Sequence, residues 1–310
     1  MNYNLNSGYG KAAAAGLPFA GSGKIFIVGD SGTANLSMLK DLFVPDVEGK
    51  IRFYSTISAA IDACTANAGD IILVMPGHVE TISAATSCDF DVAGVTVIGL
   101  GNGSDRPTFN FTTTTAAQVN IDAANVRIVN CIFDLTGFDA VVAGIDVNAD
   151  DFTMERCTVY MGDSDGQAVL GILSDTNVDR VRVYDSEFLG DTIAGPAAAI
   201  RLIGGVEHVI ARNHIQGSFS QAPLALVTTA PLRVLIEHNV LKNDVGSGTA
   251  AIQAVAGASG VVRFNSYHHT TDSLGDWLNT PGSLVSYENY GTNAVGETGI
   301  LDITGGLSTT

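Results

Sequence analysis

The feature that most constrains this chain is a repeat with a period of about 26 residues in the second half of the sequence. The segments VRIVNCIF (from Val126), FTMERCTV (from Phe152), VRVYDSEF (from Val181), HVIARNHI (from His208), VLIEHNVL (from Val234) and GVVRFNSY (from Gly260) share one pattern. Each reads apolar, any, apolar, any, any, small polar, any, apolar, with His208 and Gly260 as exceptions at the first place. The small polar place holds Cys131, Cys157, Ser186, Asn213, Asn239, Asn265 and Asn289, at successive gaps of 26, 29, 27, 26, 26 and 24. A period in this range means stacked units that bury a continuous core between neighbours.

The unit is a coil of strands, not a helical hairpin. Apolar places alternate by two, the segments are rich in Val, Ile and Phe, and Gly, Asn, Asp and Ser punctuate them every few residues. A second apolar strand precedes each segment, as in GIDV, GILS, AIRL, LALV and AIQA. Less regular coils are read upstream, at VTVIGL and IILVMP. The step of three before the small polar place breaks the alternation, as a corner would, and Asn suits a corner because it tolerates left-handed backbone and can bond to its like on the next coil. Coils stacked at about 4.8 Å would line up like residues inside the column. Examples are Ile128, Met154, Val183, Ile210, Ile236 and Val262, and then Phe133, Val159, Phe188, Ile215, Leu241 and Tyr267.

An open column end is an aggregation-prone sheet edge. The segment from Ser55 to Asp70 answers this at the lower end: Ile57, Ala60, Ile61 and Cys64 fall at helical spacing, and Ser55 or Thr56 can cap the start. The expected organisation is an arm and entry segment over 1–50, a β-helix over 51–290 with a cap helix at about 55–66, and a C-terminal capping strand or tail over 291–310.

Composition narrows the function classes. With 46% hydrophobic residues the 310-residue chain buries a large core, and 32 acidic against 15 basic residues leave a net charge of −17. Such a charge repels a phosphate backbone, so no nucleic-acid partner is expected. No stretch approaches the length of a membrane span, and the opening lacks an apolar core of signal-peptide length, so synthesis in the cytosol is expected. The four cysteines show no paired zinc spacing and are read as buried thiols.

The run YSTISAAIDACTANAGDIILVMPGHVETI (Tyr54 to Ile82) resembles the entry of pectin-lyase-like β-helix proteins, in which an amphipathic cap helix leads through Gly-Asp into the first coil. The resemblance implies an all-β fold, a right-handed single-stranded parallel β-helix of about eight coils with an N-terminal α-helical cap. Together with the preceding Gly23 to Ile57 and with VAGVTVIGLGNGSDRPTF, the run looks like β-helix proteins among the structural proteins of tailed bacteriophages. That implies a virion component, assembled in the host cytoplasm and trimeric about the long axis.

The enzymes that this fold resembles carry sets of carboxylates, histidines and basic residues on successive coils, and no such set occurs here. Asp150-Asp151 lacks a His or Lys partner by pattern and reads as a solvated turn; Glu80 after Pro76-Gly77 reads as structural. Asp163, Asp165, Asp185, Glu187 and Asp191 form a weak candidate acidic patch on the middle coils. The outward rung Arg156, Asp185, Arg212 suggests an ion-pair ladder. The place between the first two apolar ones changes from Arg127, Thr153 and Arg182 to Val209, Leu235, Val261 and Val285, which reads as a self-association face. A one-residue slip of the later coils is the competing arrangement, and it would put Val209 inside and His208 outside.

The expected function is therefore a non-enzymatic virion structural protein, a trimeric capsid decoration or appendage that holds capsid or other virion proteins through its N-terminal arm. No catalytic residue, metal or cofactor is assigned. The alternatives are a tailspike-like polysaccharide lyase or hydrolase, and an adhesin that binds host-surface glycans without turnover.

Overall fold

A computed structural model describes residues 23–29, 52–163, 166–191, 195–244, 250–269, 277–279, 283–293 and 298–300. The chain winds through three long sheets, visiting each once per turn. Sheet A begins with Phe53–Tyr54 and Ile25–Val28, continues through Ile71–Val74, and ends at Ser283–Tyr287. Sheet B runs from Val79–Ile82 to Tyr290–Asn293, and sheet C from Cys88–Phe90 to Leu278–Asn279. Coil-to-coil pairings are parallel, and the terminal strand of sheet B is closed by antiparallel Thr298–Ile300. The column has about nine turns, one more than the repeat suggested, because Ile25–Val28 pairs directly with Ile71–Val74 and adds a rung below the first coil.

Register turns the sequence pattern into a core. Ile128, Met154, Val183, Ile210, Ile236 and Val262 are successive partners along sheet A. Phe133, Val159, Phe188, Ile215, Leu241 and Tyr267 are partners along sheet B. Every one of these side chains is buried, and burial of such a side chain contributes about 1.5–3 kcal/mol.

His208 is fully buried in the inward row. Its Nδ1 accepts the Val181 N–H at 3.2 Å, and its Nε2 donates to the Gly204 carbonyl at 2.9 Å. Room for the ring comes from Gly205, where a Cβ would stand 2.8 Å from Nε2. Val209 accordingly faces out, and the one-residue slip does not occur.

The helix spans Ile57–Asp62, shorter than the expected 55–66, and buries Ile57, Ala60 and Ile61. The Thr56 hydroxyl accepts the Ala59 N–H at 3.3 Å. Glu80, buried in the first coil, accepts the Ile57 N–H at 2.9 Å and contacts His78 Nε2 at 3.1 Å. Fully buried Asp70 accepts the Lys24 and Thr65 N–H groups at 2.6 and 2.7 Å, joining the entry strand, the helix exit and the first coil. The helix packs on Cys88–Phe90, the terminal strand of sheet C.

The corner between sheets A and B differs from its sequence reading in one respect. Left-handed backbone falls on the residue before each small polar one: Asn130, Arg156, Asp185, Arg212, His238, Phe264 and Glu288 have φ between 49° and 59°. That turn swings the next side chain into the column. The Cys157 N–H donates to Ser186 Oγ at 3.1 Å and the Ser186 N–H to Asn213 Oδ1 at 3.0 Å. The N–H groups of Asn213, Asn239 and Asn265 then donate to the Oδ1 of Asn239, Asn265 and Asn289, at 2.9, 3.0 and 3.0 Å. Each Nδ2 from Asn213 to Asn289 donates to a carbonyl of the coil below. At the other end of the row the Cys131 N–H meets Cys157 Sγ at 3.5 Å.

Replacing Asn239 by Leu strands the Asn213 N–H in a dry interior and takes the Nδ2 donor from the Asn265 Oδ1. The expected cost is about 1–3 kcal/mol for each buried group left unpaired, read as a lower urea midpoint with an unchanged slope. Burial pushes the Cys157 thiol up to about 11 and the Cys64 thiol up to about 12. The native protein is therefore expected to be inert to a thiol-specific chromogenic disulfide at mildly alkaline pH, with all four cysteines reacting once it is unfolded.

Candidate functional sites on the column surface

Three surfaces stand out. The first is the outer face of sheet A, where Thr96, Arg127, Thr153, Arg182, Val209, Leu235, Val261 and Val285 are consecutive register partners. The row is polar below and apolar above. Val285 at its upper end is 53% exposed, and the exposed Tyr287 and Tyr290 stand on the same last coil.

The second is the pair of corners flanking sheet A, which carry arginine–carboxylate pairs between coils. Arg212 holds Asp185 through two bonds of 2.7 and 2.9 Å. Arg156 turns instead to Glu155 at 3.6 Å, and Glu155 also pairs with Arg127. At the other corner Arg180 reaches Asp151 at 2.8 Å and Asp150 at 3.2 Å, and Arg182 reaches Asp151 at 3.1 Å. Asp150-Asp151 is thus clamped from the coil above, not left to solvent as the sequence suggested. The guanidinium of Arg180 holds the Asp151 carboxyl below the usual range.

The structure divides the candidate acidic patch. Asp185 and Glu187 line one recess, whereas Asp191 lies beyond the far end of the strand Glu187–Gly190. Asp163 is at the end of the strand Thr158–Asp163, and Asp165 lies outside the described residues. Among the described residues no group of three or more His, Cys, Asp or Glu is placed to hold a metal ion. The expected corner row from Cys131 to Asn289 is buried structure, with no access for a ligand.

The third surface went unread in the sequence. On the outer face of sheet C, Asp89, Asn120 and Asp146 are register partners. Burial raises the Asp146 carboxyl above its ordinary value, opposed by hydrogen bonds from Asn148 and Gln118 and reinforced by the charges of Asp122 and Asp175. Burial also raises Asp89, with Asp122 and Asp91 adding to it. The available signal was the polar middle residue of the triplets CDF, VNI and IDV, which strict alternation points outward.

A carboxyl raised in the fold contributes stability that is fully present below its unfolded-state value and is lost as pH rises through the raised one. Acidification from neutrality into the mid-acid range should therefore strengthen these lower coils. Asp146→Asn should raise the thermal midpoint at neutral pH and reduce its gain on acidification, in unfolding scans at the two pH values. A midpoint lowered at both would contradict this account of the face.

No family model matches the chain, and no curated protein matches it. Solved structures that match include a pectate lyase from Bacillus sp. N165 in complex with trigalacturonate, at 13% identity and a TM-score of 0.43, covering 93% of this chain and 87% of that one. Another is ORF18 of Geobacillus virus E2, at 12% identity and a TM-score of 0.29, covering 76% of this chain and 57% of that one. It is the chain's own strand pairings that make it a parallel β-helix of about nine turns.

Proposed function

We propose that this chain is a non-enzymatic structural protein of a tailed-bacteriophage particle, a trimeric capsid decoration or appendage. The observation that carries the reading is the apolar row Val209, Leu235, Val261 and Val285 on the outer face of sheet A. Four apolar residues on consecutive coils, half-buried at Val209, Leu235 and Val261 and exposed at Val285, two residues before the exposed Tyr287, are costly to leave in water. The row runs along the column, so parallel copies can bring the same face to a common axis, which closes a ring without leaving an open heterologous surface. In this reading residues 1–50 hold capsid or other virion proteins, and the protein resides in the virion. Mass spectrometry of purified particles tests that location.

A second reading, polysaccharide cleavage in the manner of a tailspike, draws on the raised carboxyls of Asp89 and Asp146 on sheet C. New reducing ends or unsaturated sugars after incubation with host-surface polysaccharide would favour it over the structural role.

Sedimentation of the purified chain at micromolar concentration should give a trimer, and a lone monomer would overturn the proposed assembly. Leu235→Asp and Val261→Asp should each shift the profile to monomer, because the new carboxylate would be buried without a partner. Thr153→Asp, on the polar part of the same row, should leave the trimer intact.

A further inference from the structure

The corner between sheets A and B is tight where two residues link the strands, as between Arg127–Val129 and Ile132–Asp134. One coil lower the chain instead makes an excursion, GLGNGSDRP, from the end of strand Thr96–Gly99 to the start of Thr108–Phe111, with a single turn of 3-10 helix at Gly103–Asp105. The excursion stands out from the column and walls off a recess of about 310 Å³ against the three coils above it. Asn102, Arg106, Arg156, Thr158, Asp185 and Glu187 all line it.

Most of this lining is already fixed. The Arg106 guanidinium donates to the Gly103 carbonyl at 3.1 Å, to the Arg156 carbonyl at 3.3 Å and to Thr158 Oγ1 at 2.8 Å, so it spans two coils upward. The Thr158 hydroxyl donates to Glu187 Oε2 at 3.3 Å, and Asp185 is held by Arg212. Two groups keep unused capacity. The Arg156 side chain is 61% exposed, with Glu155 at 3.6 Å as its ion-pair partner. Glu187 is exposed and, among the described residues, takes one long bond, from Thr158 through Oε2. An open donor and an open acceptor thus stand on adjacent coils over a pre-organised floor.

We propose that this recess binds one or two units of a neutral saccharide. Its size is at the small end of ligand pockets, and its lining sets charged and hydroxyl groups beside about as much apolar surface, a mixture that suits a ligand with both hydroxyls and C–H faces. Charge decides the class. Arg106 and Arg156 oppose a cation and Asp185 and Glu187 oppose an anion, whereas a neutral diol donates from one hydroxyl to Glu187 and accepts at its neighbour from Arg156. Charge-assisted bonds of this kind give orientation as well as affinity, and the fixed Arg106, Thr158 and Asp185 hold the shape of the recess beneath them. The inference is independent of the assembly role, since a trimer closed by sheet A and a monomer carry the same recess.

The test is saturation-transfer NMR and calorimetry on the full chain with glucose, galactose, mannose, maltose and lactose, and with galacturonate and glucosamine as charged counterparts. At least one neutral sugar should bind. Arg156→Ala and Glu187→Ala should each weaken it about tenfold or more, ~1.4 kcal/mol, with the thermal midpoint unchanged. Arg233→Ala, at the opposite corner, should bind like the parent. No neutral sugar binding, tighter binding of a charged counterpart, or undiminished binding by both recess variants would overturn the proposal.

Discussion

The structure depends on one constraint, the fixed rise of about 4.8 Å from one coil to the next. At that spacing a residue's nearest neighbours are its counterparts above and below, so side chains succeed as rows. A row of Ile, Met and Val fills the column, and a row of alternating Arg and Asp cancels its own charge. At Asp89 and Asp146 burial, with the nearby charge of Asp122 adding to it, makes the fold hold protons more tightly than an unfolded chain would. The buried corner row is the strictest case, because each member must both accept an N–H and donate to a carbonyl. Asn does both with one amide, Ser supplies a single hydroxyl, and the thiol of Cys157 reaches its N–H only at 3.5 Å.

This grading follows the distribution of polar work along the column. The lower rungs hold thiols, surrounded by Val, Ile and Phe, while the upper rungs from Asn213 to Asn289 carry a continuous amide chain. The upper coils are also where His208 and Gly260 replace an inward apolar side chain. Directed bonds there stand in for apolar contact. The left-handed residue before each rung is the geometric cost, borne even by Phe264, whose ring stacks on His238 at 5.0 Å.

The fold was legible in the sequence because the repeat is expressed in single residues: the inward rows and the corner row could be read from spacing alone. Relations between coils were less legible where they skip the register. The arginines that clamp Asp150 and Asp151 are 29 to 31 residues away in sequence, and nothing in the turn itself announces them. The recess was half read: Asp185 and Glu187 were noticed, but its wall is an excursion three coils below, and Arg106 reaches Thr158 across 52 residues. The sheet C carboxylates were missed because each lies singly in an apolar triplet and forms a face only after stacking.

The amide row also has a direction. Each rung's N–H is satisfied by the side chain of the coil that follows it, and that side chain in turn grips a carbonyl of the coil already formed. A coil is therefore completed by its successor, so a chain cut after any of these coils would leave one buried N–H of its last rung unanswered. The same polarity makes the two ends of the row unequal: at its top Asn289 serves the coil beneath through both Oδ1 and Nδ2, under a sheet B edge that Thr298–Ile300 closes.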